Sequence, residues 1–392
     1  MKKEKKIKKK TSLFILYVAS FILALSTAIP AYINSSFIES FVGVKYVGYF
    51  FIISNILLLF FMLKYPKTIK RIGNFISTQA MVFINFLSLF FLIFSSNTVI
   101  LLISFVGMWV SSQLIWNNMD IFVESFTSDI STGKTRAIFF TFMNLGWICS
   151  PFIASKLVVN DNNYNAIYIM AALCLIVYYT IIILNKKRVS KEVKYNEFCI
   201  KDTISLFWKN SNLRGLYFSS FFLNLFYSTA VVYLPIYLHN TIGFNWTVLG
   251  IMFSLILIPF VLVEIPAGIM ADKKWGEKEL MSVGFVILII SLILFFTTKS
   301  ASPLIWGAIL FFSRIGAALI ESMRESRFFK IIDVEDVSHI NFLRTSYPLG
   351  YIIGPLLASL ILSFYEIQYL FLFIAVLFLY TFYFVYIIKD SK

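Results

Sequence analysis

The sequence predicts an all-α membrane protein with twelve transmembrane helices in two parallel six-helix pseudo-repeats. Three observations predict this fold class: the composition, the spacing of long apolar runs and the placement of basic residues. Of the 392 residues, 59% are hydrophobic and only 14% are charged, whereas soluble domains carry about 45–50% apolar and about 25% charged residues. Because so little charge cannot cover a water-facing surface of this size, the composition excludes a soluble globular protein.

Runs of about 20 apolar residues, the length that crosses the hydrocarbon core of a bilayer, recur along the whole chain. The twelve predicted spans are 12–33, 46–64, 76–95, 98–120, 136–158, 164–184, 213–238, 247–271, 279–298, 303–326, 339–363 and 367–388.

Basic residues lie almost entirely on one side of this topology. If the N-terminus is cytoplasmic, the inner segments carry 29 of the 34 Lys and Arg residues, as expected when cationic loops stay inside. The net charge of +14 therefore indicates topology and contact with anionic lipid, not nucleic-acid binding. We expect a multi-pass protein of the plasma (cytoplasmic) membrane with both termini in the cytoplasm. A cleaved signal peptide is the alternative for the first residues, but the apolar run that follows is long for one.

The second half of the chain repeats parts of the first. The segment LGWICSPFIAS, 145–155, returns as LGYIIGPLLAS, 349–359, with six of eleven residues identical at an offset of 204. Ser26–Ala28 likewise returns as Ser228–Ala230. Ordered matches at nearly one offset indicate a duplication, against the alternative that apolar helices merely look alike. Since each half has six spans, both halves should have the same orientation, unlike inverted repeats.

The repeat predicts two bundles and a linker: an N-terminal six-helix bundle over 1–184, a cytoplasmic linker over 185–212 and a C-terminal six-helix bundle over 213–392. Within the linker, Phe198–Trp208 is either a short interfacial helix or a solvated stretch.

The repeated segment places Gly146 and Pro151 in one half and Gly350 and Pro355 in the other. A proline in a membrane helix frees a backbone carbonyl, and small residues let another helix approach closely. We therefore expect bent helices with contacts that can repack; a static kink is the alternative.

These features resemble the major facilitator superfamily over essentially the full length of the chain. Asn144–Pro151 looks like the Gly-Pro signature of that family's fifth span, and Gly350–Pro355 like its counterpart in span eleven. Gly268, Asp272, Lys273 and Gly276 look like the family's loop motif, G-x-x-x-D-[RK]-x-G-x-[RK], with one extra residue before the second Gly. The first half departs from the motif, because Lys70 stands where the Asp would be. The resemblance implies that spans one, four, seven and ten line a central cavity.

Ionisable side chains within spans cost about 2.5–3.5 kcal/mol each on insertion scales, so each is a functional candidate. Arg314 lies near the middle of span ten, on one helical stripe with Glu321 and Glu325 at about 100° per residue. We expect Arg314 to bind an anionic group or to tune a proton-carrying carboxylate; the alternative is a structural arginine paired with a buried acid.

Span four has a second polar stripe, which consists of Gln113, Asn117 and Glu124, with Asp120 about 60° away. Asp120 and Arg324 occupy equivalent positions of the repeat and have opposite charges. We therefore expect a cytoplasmic gate, with solvated helix ends as the alternative; its candidate residues are Asp120, Glu124, Arg324 and Arg327.

Glu264 lies within span eight, two residues before Pro266. Burial in the bilayer favours a protonated carboxyl group, and a group that carries protons needs such a perturbation. Glu264 and Glu321 are therefore the candidates for proton coupling; for Glu264 the alternative is a structural acid that holds the bend. Weaker candidates for lining the cavity are Asn34, Asn224 and Tyr227.

The sequence lacks complete motifs for two chemistries, nucleotide binding and histidine-based metal or triad sites. Ser128–Thr135 ends in GKT like a phosphate loop, but it lacks the first Gly and a preceding strand, so no nucleotide site is expected. His239 and His339, the two histidines, are expected near opposite membrane faces and cannot form a metal site or a triad. We expect no cofactor and no metal.

The leading hypothesis is a secondary active transporter that moves a small solute by alternating access and is driven by protons. Its expected partners are the solute, protons and membrane lipid, without nucleic acid, and we expect a monomer that is not an enzyme. One alternative is a transporter-derived scaffold or sensor without coupled transport. Another is a membrane-embedded lipid-modifying enzyme, although no cluster of acid, His and Ser side chains supports it.

Overall fold

The computed structural model describes residues 2–31, 33–126, 132–158, 164–190, 200–273, 275–331 and 337–389. Every regular element within these residues is helical. They form two compact units: unit 1 is Met1–Phe41 with Ile56–Tyr195, and unit 2 is Val42–Asn55 with Asn196–Lys392. The segment Ser128–Thr135, which contains the GKT sequence, lies outside the described side chains.

Eight helices lie in the described residues of the first half of the chain. They are α1 (Lys2–Ala28), α2 (Asn34–Val42), α3 (Val44–Ile72), α4 (Asn74–Phe94), α5 (Thr98–Glu124), α6 (Thr132–Leu157), α7 (Asn165–Leu184) and α8 (Lys186–Val189).

The described helices of the second half are shorter on average because several predicted spans are divided. They are α9 (Ile200–Lys209), α10 (Ser211–Val232), α11 (Leu234–Ile236), α12 (Trp246–Leu255), α13 (Ile258–Lys273), α14 (Glu277–Thr297), α15 (Pro303–Ile331), α16 (Val337–Arg344), α17 (Ser346–Ile361), α18 (Ile367–Phe378) and α19 (Thr381–Tyr386). A π-helical turn, Tyr237–Thr241, continues α11.

Ten segments of the described residues are long and apolar enough to cross a membrane, and the chain is a multi-pass all-α membrane protein. The predicted spans 136–158 and 339–363 are not among the ten. The first lies in α6, whereas the second is divided at Thr345 into α16 and α17. With 16 residues, α17 is shorter than the roughly 20 that cross a bilayer. The number of twelve spans therefore stays a prediction.

Prolines coincide with the interruptions of the predicted spans. Pro259 and Pro348 lie in the first turns of α13 and α17, and Pro235 lies at the start of α11. Proline is tolerated there because the first backbone N–H groups of a helix have no partner within it. Pro151 and Pro355, in contrast, lie inside α6 and α17.

The glycines of the repeated segment make corresponding contacts in the two units. A Cβ atom on Gly146 of α6 would lie 2.6 Å from Ala24 Cβ and 2.9 Å from the backbone O of Phe21, both on α1. A Cβ atom on Gly350 of α17 would lie 2.7 Å from Asn224 Cβ and 2.9 Å from the backbone N of Leu225, both on α10. In each unit the absence of a side chain therefore allows the backbones of two helices to pack directly.

Helix α9 lies in the predicted linker. Its Phe207 ring is 3% exposed and packs 4.7 Å from the ring of Phe342 on α16. The next side chain, Trp208, is 63% exposed. The helix thus packs one face against α16 within unit 2 and has a large apolar side chain at its surface.

Candidate functional site

A connected group of charged and polar side chains joins α10 to α15 in unit 2. The hydroxyl group of Tyr227 on α10 donates a hydrogen bond to Oε2 of Glu321 on α15, over 2.8 Å. Both side chains are half-buried. The two residues lie in the candidate spans Ser211–Thr241 and Pro303–Phe328 of unit 2.

Arg324 lies one helical turn after Glu321 and is 8% exposed. Its Nη1 atom donates to Ser220 Oγ over 2.9 Å, and its Nη2 atom donates to Oε1 of Glu325 over 2.6 Å. It also interacts electrostatically with Glu321. A single buried arginine is therefore paired with one glutamate and attracts a second.

Ser220 extends these contacts to α17. Its hydroxyl oxygen lies 2.7 Å from that of Ser346. Asn224 donates from Nδ2 to the backbone O of Ser220 over 2.9 Å and to Ser346 Oγ over 3.3 Å. All three side chains are buried, so the contacts run from α15 across α10 to the first residue of α17.

Arg314 lies about two turns before Glu321 on α15. The residue is 2% exposed. Its guanidinium carbon is 5.3 Å from the centre of the Phe226 ring and 5.8 Å from that of the Tyr227 ring, within the range of cation–π attraction. Its Nε atom is buried without a hydrogen-bond partner. Aromatic rings of α10, rather than a carboxylate, thus contact this cation.

We name Tyr227, Arg314, Glu321, Arg324 and Glu325 the α10–α15 charge cluster. It contains two arginines and two glutamates, so its formal net charge is zero. Arg324 and Glu325 form a direct ion pair, whereas Tyr227 contacts both Arg314 and Glu321. Chemically, such a cluster offers an arginine for an anion and a carboxylate for a proton.

The family assignment comes from the sequence. The description "Major Facilitator Superfamily" belongs to a family model that matches residues 114–324 and, in an overlapping match, 216–392. The chain belongs to the Major Facilitator Superfamily. It is a membrane transport protein and not an enzyme, so the alternative of a lipid-modifying enzyme is wrong. No curated protein matches the sequence.

Solved structures of superfamily transporters share the fold. The nucleoside transporter NupG has a TM-score of 0.77 at 15% identity, covering 96% of this chain and 99% of its own. The peptide transporter POT, solved with sulfate, has a TM-score of 0.76 at 12% identity, covering 96% of this chain and 93% of its own. An inward-facing bacterial homolog of the human lysosomal transporter Spinster has a TM-score of 0.71 at 10% identity, covering 97% and 95%. These likenesses show the fold of the superfamily and leave the solute open.

The predicted gate and loop residues of this superfamily member have varied surroundings in unit 2. Arg327 donates from Nη2 to the backbone O of Lys389 over 2.5 Å, so it binds the C-terminal end of the chain. Gly276 is the residue before α14, and a Cβ atom on Gly268 would meet open space. Three predicted side chains of the second half lie outside the described part of the structure: Glu264, Asp272 and Lys273.

In unit 1 the predicted residues of the second polar stripe lie on α5. Gln113, Asn117 and Asp120 are half-buried, and the side chain of Glu124 lies outside the described part. Asn34 is 2% exposed, and its Oδ1 atom accepts a hydrogen bond from the Tyr168 hydroxyl over 3.0 Å. This bond joins α2 to α7.

Sequence reasoning missed two buried amides of unit 1. Asn118, beside the predicted Asn117, is fully buried and donates from Nδ2 to the Tyr65 hydroxyl over 2.8 Å. Asn85 on α4 donates to the backbone O of Met108 over 3.0 Å. The sequence did hold a signal for both residues, because each Asn lies in an apolar run. A polar amide within the bilayer needs a hydrogen-bond partner from the protein.

Ser220 and Ser346 were also missed. Ser220 precedes Asn224 by one helical turn and therefore shares its face, so the sequence held a signal for it. The sequence held no such signal for Ser346. The helix is interrupted at Thr345, so the residue spacing before the interruption does not predict the face on which Ser346 lies. No group of three or more His, Cys, Asp or Glu residues that could hold a metal ion occurs in the described ranges.

Proposed function

We propose that this chain is a proton-coupled secondary transporter that moves a small solute across the plasma membrane by alternating access. The superfamily assignment supports transport, and the sequence contains no nucleotide motif that would supply another source of energy. In this proposal both termini are cytoplasmic and the protein acts as a monomer among membrane lipids.

The observation that carries the proposal is the hydrogen bond from Tyr227 to Glu321 within the α10–α15 charge cluster. Glu321 accepts this bond and attracts Arg324 while it is ionised. Protonation removes the charge, which weakens both interactions between the side chains of α10 and α15. A proton taken up from one side of the membrane thereby changes how these two helices are held together, which is what coupling a proton to a rearrangement requires.

Other sequence predictions belong to the same proposal. Glu264 is a second candidate for the proton-carrying group, and the solute would contact side chains of both polar stripes. The gate would use charged residues at the inner ends of spans four and ten, namely Asp120, Glu124, Arg324 and Arg327.

Flux measurements in proteoliposomes with an entrapped pH-sensitive dye test the proposal. A panel of amino acids, nucleosides, organic acids and amphiphilic drugs is presented with and without a pH gradient. We expect gradient-driven proton and solute flux in the wild type, and its loss in Glu321→Gln, which keeps the side-chain length but cannot ionise. Glu366→Gln is the matched control, because Glu366 is exposed at the start of α18 and should not affect flux.

Two results would contradict the proposal. Solute flux that is indifferent to the pH gradient and to Glu321→Gln would reject proton coupling through this residue, and Glu264→Gln would then be tested in the same assay. No flux of any panel member would favour a scaffold or sensor that has lost transport.

A further inference from the structure

Arg314 is a buried cation whose charge no described carboxylate balances directly. It lies close to the middle of the candidate span Pro303–Phe328 and is 2% exposed. No hydrogen bond or ion pair joins its guanidinium group to any residue that the structure describes, and its Nε atom is buried without a partner. A buried charge is normally paired or hydrogen-bonded, because the loss of hydration is otherwise uncompensated.

The two aromatic contacts of Arg314 compensate for only part of this loss. The rings of Phe226 and Tyr227 lie 5.3 and 5.8 Å from the guanidinium carbon, and their π-faces attract a cation. A guanidinium group can donate five hydrogen bonds from its N–H groups, and the faces of these two rings do not replace the oxygen acceptors that such bonds need. The rings hold the side chain in place and leave its donors available.

The nearest acid along the same helical stripe is already engaged. Glu321 lies seven residues from Arg314, about 10 Å along the helix, and accepts the hydrogen bond from the Tyr227 hydroxyl. It also interacts electrostatically with Arg324. Tyr227 thus contacts Arg314 with its ring and Glu321 with its hydroxyl group.

We propose that Arg314 is the binding residue for an anionic group of the transported solute, a carboxylate or a phosphate. This inference rests on the proposed transport function and adds the chemical class of the solute. Arginine suits the role because its planar group can donate two parallel hydrogen bonds to either anion. The bound anion supplies the partner that the guanidinium group lacks in its absence.

A stability measurement without any ligand separates a binding arginine from a structural one. Arg314→Met keeps the length and apolar stem of the side chain while removing an unpaired charge, so the melting temperature in detergent should stay equal or rise. Arg324→Met is the matched control: Arg324 is 8% exposed on the same helix but is paired with Glu325, so its loss should lower the melting temperature. A comparable fall for both variants would overturn the proposal.

Binding is tested with probes that differ only in charge. Thermal shifts of the purified chain are recorded with benzoate against benzamide, succinate against succinamide, and uridine monophosphate against uridine, each at 10 mM. At least one anion should raise the melting temperature, its neutral counterpart should not, and Arg314→Met should abolish the shift. Arg314→Lys should bind at least tenfold more weakly, because an ammonium group cannot form the paired hydrogen bonds.

Three results would overturn the proposal: equal shifts for the charged and neutral members, no shift with any anion, or a shift that survives Arg314→Met. Anionic lipid is the competing source of the same chemistry. Stabilisation by phosphatidylglycerol that requires Arg314, without an effect of any soluble anion, would assign the site to a lipid headgroup instead. Proton-driven flux of neutral solutes alone would overturn the anion-binding role of Arg314 and retain the proposed transport function. Anion binding that requires Arg314, without flux of any solute, would retain that role and overturn the transport function.

Discussion

Tyr227 combines an aromatic ring and a hydroxyl group in one side chain, and the two parts contact opposite charges. The ring lies 5.8 Å from the guanidinium carbon of Arg314, while the hydroxyl donates to Glu321 over 2.8 Å. A phenylalanine could provide only the first contact and a serine only the second. At the scale of the residue, the identity of this side chain therefore explains how one residue contacts both an arginine and a glutamate of one stripe.

Tyr227→Phe separates these two roles. It keeps the ring beside Arg314 but leaves Glu321 without its hydroxyl donor, so the free energy of unfolding should fall by about 1.5–3 kcal/mol, the range for a hydrogen bond to a charged group. Denaturant unfolding in detergent measures the change. Tyr383→Phe is the control because Tyr383 is 59% exposed on α19; an equal loss in both variants would contradict the assigned hydrogen bond.

The partners of the charged and polar residues could be predicted from the sequence only within a single helix. The helical stripe predicted that Arg314 and Glu321 share a face of α15, because this follows from the period of a single helix. It could not predict that Arg327 binds the backbone O of Lys389, because that contact depends on how distant segments pack. Nor could it assign Asn34 to the hydroxyl of Tyr168, for the same reason.

At the scale of the element, glycine decides how closely two helices of a unit approach. Gly350 of α17 packs on the backbone of α10, whereas a Cβ atom on Gly307 of α15 would meet open space. The repeated Gly and Pro letters predicted close helix contacts of this kind. The divisions of the predicted spans were harder to foresee, since a proline within a span can bend a helix or begin a new one.

Gly350→Ala and Gly307→Ala form a matched pair. The first places a methyl group 2.8 Å from the backbone C of Asn224, which a side-chain rotation cannot relieve, so it should destabilise the chain by about 1–3 kcal/mol. The second adds a better helix former in open space and should be neutral or stabilising by up to about 1 kcal/mol. Melting temperatures in detergent compare them, and a similar effect of both would refute the close packing of α17 on α10.

Gly243 joins the π-helical turn to α12 with a φ of +88°. Side chains with a Cβ atom are disfavoured in that region, so Gly243→Ala should cost about 1–2 kcal/mol even though no atom lies within 4 Å of its Cβ position. Gly307→Ala again serves as the control, because it adds the same methyl group where φ is not positive. If both variants melt at the same temperature, the turn relaxes rather than storing strain.

At the scale of the whole molecule, composition and long apolar runs predicted an all-α membrane protein, and the span pattern and motifs resembled the superfamily to which the chain belongs. These features are properties of many residues at once, so a few local departures do not change the conclusion. The count of twelve spans is less robust because it depends on single residues such as Thr345, where a predicted span is divided into α16 and α17.

The membership of Val42–Asn55 in unit 2 has a consequence for dissecting the protein. A C-terminal fragment that starts at residue 200 would lack this segment, and with it the close approach of Gly48 to Tyr233 and Ser359. Such a fragment should aggregate when synthesised alone and should be rescued in trans by a fragment covering 1–190, as size-exclusion chromatography would show. Complementation of this kind would mean that the C-terminal half of the chain does not fold as an autonomous product.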